Sequence, residues 1–86
     1  DGNFHVVLPY DPAKKEMYKQ IRAFNDTLIR KALELNGTIT GEHGVGLHKK
    51  EYLLEQHPDN IPVMKSIKRT IDPNNIMNPG KIIKRN

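Results

Sequence analysis

The 86-residue sequence predicts an α+β fold in which helix dominates: one long helix, two shorter helices and an incomplete antiparallel sheet. Three observations predict this. Phe4 to Leu8 alternates in strand fashion, apolar residues then recur at helical spacing from Met17 to Leu35, and Gly37-Thr38-Ile39-Thr40-Gly41 is again β-prone.

Asn3 to Leu8 is rich in β-branched and aromatic residues, with Phe4, Val6 and Leu8 on one face and Asn3, His5 and Val7 on the other. Pro9 and Tyr10 end the run. Asp11-Pro12 reads as an N-cap followed by proline at the first helical position. Met17, Ile21, Phe24, Leu28, Ala32 and Leu35 then form one apolar stripe, and Asn36-Gly37 caps the helix at its C-terminus. A helix from Pro12 to Leu35 is about 36 Å long at its rise per residue. Such a length suits a helix lying across a sheet whose other strands belong to a longer protein. A second helix is expected from Lys49 to Gln56, ended by His57-Pro58. A third begins near Asp59 or Asn60, uses Val63, Met64, Ile67 and Ile71 as its apolar side, and stops at Asp72 before Pro73. The tail alternates turns and hydrophobic pairs and contains no repeat.

Composition narrows the function classes. The chain has no cysteine, which excludes disulfides, iron–sulfur clusters and thiolate zinc sites. A cytoplasmic setting follows as the default, and no apolar run reaches the ~20 residues of a membrane span. The net charge is +4, from fourteen basic and ten acidic residues. The basic residues are spread along the sequence and the five aromatics are scattered, so they supply no concentrated patch, which argues against nucleic acid as a partner. A start at Asp1-Gly2-Asn3, with a strand almost at once, points to a fragment cut close to a functional motif.

The strongest chemical signal is Gly41-Glu42-His43-Gly44-Val45-Gly46, a carboxylate and an imidazole side by side among glycines. Glycine permits positive φ and the close approach of another group. Glutamate and histidine suit proton transfer or a divalent metal. The spacing is neither G-x-G-x-x-G nor a P-loop, and a carboxylate would be wrong in a phosphate cradle. His5 shares a strand face with Asn3 and follows the Asp1-Gly2 turn. His48, His57, Tyr52, Asn78 and Lys81 read as structural or surface residues on residue chemistry alone.

Three motifs occur in order: Asp1-Gly2-Asn3-Phe4-His5, Gly37 to Gly46, and Ile71-Asp72-Pro73-Asn74-Asn75-Ile76-Met77-Asn78-Pro79-Gly80-Lys81. Together they resemble the C-terminal end of FAD-linked 2-hydroxyacid oxidases and dehydrogenases, and the resemblance runs the whole length of the chain. It implies a vanillyl-alcohol oxidase type flavoprotein with an N-terminal FAD domain, absent from this chain, and a C-terminal cap over the isoalloxazine. Residues 1–71 would end that cap, and 72–86 would form a flavin-proximal segment. The resemblance implies a divalent metal, zinc or manganese, held by His5 and Glu42, with a further histidine three positions before Asp1. It implies His43 as the base that takes the substrate hydroxyl proton, and Asn78 as a residue close to the flavin.

The implied activity is oxidation of a small 2-hydroxy acid, of the glycolate or D-lactate type, by hydride transfer to FAD. The implied partners are an electron acceptor or the other subunits of an oxidase complex, through which the protein could sit at a membrane surface. The 86 residues by themselves are expected to be inactive and to bind metal weakly. Two rival readings come from other classes: a stand-alone small metal-binding module, and a basic nucleic-acid-binding module.

Overall fold

The computed structural model describes residues 2–84; Asp1, Arg85 and Asn86 lie outside the described residues. Three helices make up its regular structure: α1 (Lys15–Glu34), α2 (Lys50–Gln56) and α3 (Ile61–Ile71). Among the described residues there is no strand. The expected α+β class with an incomplete antiparallel sheet is therefore corrected to an all-helical one. The physical reason lies in what a strand is: its main-chain bonds are made to a neighbour, and local propensity cannot supply one. Residues 3–8 form no strand ladder among the described residues, and Phe4, Val6 and Val7 stay exposed.

The chain divides into two compact units, Asp1–Glu42 and His43–Asn86. In the first, α1 starts later than Asp11-Pro12 suggests. Asp11 closes a turn ahead of the helix, its Oδ1 accepting from the Ala13 N–H at 3.0 Å and its carbonyl from the Lys14 N–H at 2.9 Å. Lys14 is the N-cap and makes no side-chain cap bond. The C-terminus is better built. The Gly37 N–H donates to the Ala32 carbonyl at 2.7 Å and the Asn36 N–H to the Leu33 carbonyl at 3.0 Å, a Schellman pair. Asn36 takes the left-handed conformation, at φ 62. Gly37 serves space instead, since a Cβ there would lie 2.9 Å from the Ala32 carbonyl oxygen. Of the apolar stripe, Met17, Ile21, Leu28 and Ala32 are half-buried, Ile29 beside it is buried, and Phe24 and Leu35 are exposed. Ile29 and Ile39 are the buried hydrophobics of this unit.

In the second unit Leu53 of α2 and Ile61 of α3 are buried. Pro62 sits in the first turn of α3, where no helical N–H is lost. At the other end Asp72 precedes Pro73, which cannot continue the helix. The apolar side of α3 remains largely open, with Val63, Ile67 and Ile71 exposed. Among the described residues no helix is long and apolar enough to cross a membrane.

Candidate functional site

His5 and Glu42, far apart in sequence, meet in the first unit. Nε2 of His5 lies 2.9 Å from Oε1 of Glu42, and both side chains are more than half exposed. Gly41 makes this approach possible. Its Cα lies so close to Asn3 that an added Cβ would come within 3.1 Å of the Asn3 Cβ. The glycine lets the 38–42 run settle against Asn3, two residues from His5 and one from Glu42. Two residues before Glu42, the Oγ1 of Thr40 is buried with no hydrogen-bond partner among the described residues. The glycines of the motif thus divide their work: Gly41 serves close approach, while Gly44 and Gly46 take positive φ, at 81 and 56.

His43 follows Glu42 directly and opens the second unit, where it is exposed. Three residues on, the Gly46 carbonyl accepts the Ile82 N–H at 2.7 Å. That bond ties the loop bearing His43 to the C-terminal segment bearing Asn78. Lys50 of α2 adds a second tie, its Nζ donating to the Gly80 carbonyl at 2.8 Å. Asn78 itself is exposed, in the left-handed region at φ 44.

Asp72 organises the approach to Asn78. It is a buried charged residue, 6% exposed. Its Oδ1 accepts from the Ile76 N–H at 3.0 Å and its Oδ2 from the Met77 N–H at 2.9 Å. Lys68, one helical turn earlier, donates to the same Oδ2 and to the Met77 carbonyl. The Lys68 hydrogen bond, helped by the two backbone N–H groups, lowers the Asp72 pKa from 3.8 to about 2, against the opposing effect of burial. The carboxylate therefore stays ionised and fully bonded, which is how a buried charge is tolerated. Beside this latch lies an apolar trough of about 510 Å³, lined by Met64, Ile67, Ile71 and Met77, with Asn78 and Lys81 among its polar residues.

The sequence reading missed Lys50, Lys68 and Asp72 as positioning residues. For the last two a signal existed, because a Lys and an Asp at i and i+4 face each other on a helix, and Asp-Pro-Asn favours a side-chain-closed turn. Lys50 carried none, since its bond to residue 80 depends on the fold.

The pattern of the family described as FAD linked oxidases, C-terminal domain, matches residues 1–82. The chain is 46% identical over 84 residues to a mitochondrial D-lactate dehydrogenase [cytochrome] of Arabidopsis thaliana, covering 96% of this chain and 15% of that protein. It is 42% identical over 83 residues to glycolate oxidase subunit GlcD of Bacillus subtilis, covering 95% and 18%. It is 40% identical over 85 residues to a D-2-hydroxyglutarate dehydrogenase of Stutzerimonas stutzeri, covering 95% and 18%. The chain thus spans less than a fifth of the length of these curated relatives. No solved structure matches it significantly. With all three motifs inside the matched span, the chain belongs to the FAD-linked oxidase family and corresponds to its C-terminal domain.

Proposed function

We propose that this chain is the C-terminal part of an FAD-dependent oxidoreductase that oxidises a small 2-hydroxy acid, of the glycolate or D-lactate type, to the 2-oxo acid. The family match over residues 1–82 carries this reading. It is supported by relatives whose names span D-lactate, glycolate and D-2-hydroxyglutarate. FAD, held mainly outside this chain, would supply the acceptor for the substrate hydride. A trough of about 510 Å³ falls within the usual ~300–1,000 Å³ of ligand sites, and its apolar walls with a few polar groups fit a planar, largely apolar ring. Residues 72–86 are the flavin-proximal segment in this reading, with Asn78 as the cofactor-facing residue and residues 1–71 as the end of the cap.

His43 takes the hydroxyl proton of the substrate, a role that needs a group titrating near neutral pH. It can do so only if the substrate hydroxyl comes within hydrogen-bond reach of one ring nitrogen. His5 and Glu42 are the two residues here that would hold a divalent metal. Their contact at 2.9 Å supports it, and imidazole with carboxylate suits zinc or manganese. Such an ion would polarise the hydroxyl and anchor the substrate carboxylate. Electrons would leave the reduced flavin for an electron acceptor or for partner subunits, in the cytoplasm or at a membrane surface reached through those subunits.

The test is to install this chain as the C-terminal segment of the Arabidopsis relative and to follow flavin absorbance and dye reduction with D-lactate and glycolate. His43→Ala should cut turnover by about 10²-fold or more, as removal of a general base does, with flavin retained. Loss of flavin with unchanged turnover per remaining flavin would reassign His43 to structure. The 86-residue chain alone should show no turnover. Submicromolar zinc binding by that chain, abolished by Glu42→Ala, would favour the stand-alone metal-binding module.

A further inference from the structure

The two halves of α1 treat charge differently. From Asn25 to Glu34 every ionic side chain has a partner about one turn away: Arg30 with Asp26 at 2.9 Å and Lys31 with Glu34 at 3.2 Å. That half is neutral. From Lys14 to Arg22 four cations, Lys14, Lys15, Lys19 and Arg22, stand against one carboxylate, Glu16. The side chains of Lys14, Lys15, Glu16 and Lys19 make no hydrogen bond or ion pair among the described residues. Asp11, just ahead of the helix, has its Oδ1 on the Ala13 N–H.

Helix stability does not ask for this arrangement. Lys14 is the N-cap and Lys15 the first helical residue, at the end where the dipole favours anions and disfavours cations. Lys15, Tyr18, Lys19 and Arg22 stand at spacings of three and four, so they share one face, and all four are exposed. Met17 and Ile21, half-buried, lie on another side of the helix. The cationic face carries its own aromatic centre. The Tyr18 ring lies 5.9 Å from that of Tyr10, tilted by 40°, and the Arg22 guanidinium is 5.8 Å from the Tyr18 ring centre. A tyrosine pair braced by an arginine is already ordered, which lowers the entropy lost on association.

We propose that this face of α1, centred on Tyr18 and Arg22 and ringed by Lys14, Lys15 and Lys19, docks an acidic protein surface. Tyrosine and arginine are the residues that concentrate binding energy at protein interfaces, while exposed lysines steer an oppositely charged partner. A bilayer fits less well, because interfacial helices insert an apolar face and that of α1 is partly buried in its own unit. Single-stranded nucleic acid fits less well too, because the Tyr18 ring that a base would stack on already engages Tyr10 and Arg22. This inference stands independently of the flavin reading, because it rests on the charges and rings of α1 alone.

The experiment titrates the 86-residue chain with poly-L-glutamate at near-physiological salt, following amide NMR shifts, with the melting temperature of each variant measured separately. Saturable shifts confined to residues 10–22 are expected, weakening as salt is raised. Lys15→Gln/Lys19→Gln should weaken binding about tenfold or more, while Lys15→Arg/Lys19→Arg should retain it. Arg30→Gln/Lys31→Gln removes the same charge from the paired half of the same helix and should change binding less than about twofold. The Lys15→Gln/Lys19→Gln variant should keep or raise Tm, since its cations oppose the helix dipole; a purely structural role would lower it. Absence of saturation, or equal weakening by the two Gln double variants, would overturn the proposal. So would tighter binding, per unit charge, to phosphatidylglycerol vesicles or to duplex DNA, which would assign the face to lipid or to nucleic acid.

Discussion

The two units place their candidate residues by different means. In the first, His5 and Glu42 meet in an exposed pair beside the close passage of Gly41 over Asn3, while the Thr40 hydroxyl nearby has no hydrogen-bond partner among the described residues. In the second, Asn78 sits on a segment fixed by Asp72, Lys68, Lys50 and the Gly46 carbonyl. Exposed pairs are soft, whereas a buried, fully bonded carboxylate is stiff. The comparison teaches that the second unit can hold its geometry from its own residues. The first holds its pair on side chains that are more than half exposed.

The most forceful way to break this contrast is through the small cores. Leu53→Ala and Ile29→Ala should each cost about 2–5 kcal/mol by cavity formation. Only the first should raise amide exchange across residues 76–82; equal exchange there in both variants would mean that the two units unfold together. Next comes Gly37→Ala, which drives a methyl against the Ala32 carbonyl and should cost about 1–3 kcal/mol by overpacking, read as a fall in thermal midpoint.

Acid should separate the units further. Because the Asp72 pKa is lowered on folding, its contribution is fully present above the ordinary value of 3.8 and is lost as pH falls toward about 2. Amide protection at Ile76 and Met77 should decline across that window and vanish in Asp72→Asn at neutral pH. Unchanged protection would show that Lys68 alone holds the segment. The mildest changes belong to the first unit. Thr40→Val should stabilise by about 1 kcal/mol by removing an unbonded buried hydroxyl. Glu42→Gln should alter stability by less than about 1 kcal/mol, as exposed pairs do, while abolishing the shift of the His5 ring signals on adding zinc.

Helices were the legible part of this fold because their bonds are local. The 3.6-residue recurrence located α1 within a few residues, and Pro58 and Pro73 marked where α2 and α3 end. The expected sheet did not form among the described residues, since alternation in Phe4 to Leu8 reports only that a strand would be tolerated there. The start of α1 was misread because Asp11 closes a turn of its own instead of capping the helix. Among the candidate residues, Glu42 and His43 stood out by residue type and glycine context, His5 by the Asp1-Gly2-Asn3 before it, and Asn78 through the motif it belongs to. Lys50 depends on a contact between residues remote in sequence, which no local pattern encodes.

Asn36 and Gly37, side by side at the end of α1, meet two unrelated demands. A saturation-mutagenesis map should therefore give neighbouring columns with opposite shapes. Position 36 should welcome glycine, tolerate aspartate and reject β-branched residues, because its constraint is a torsion angle. Position 37 should reject every side chain to a similar degree, alanine included, because its constraint is the space below a carbonyl oxygen. A homologue that exchanges the order to Gly-Asn would need a differently wound last turn.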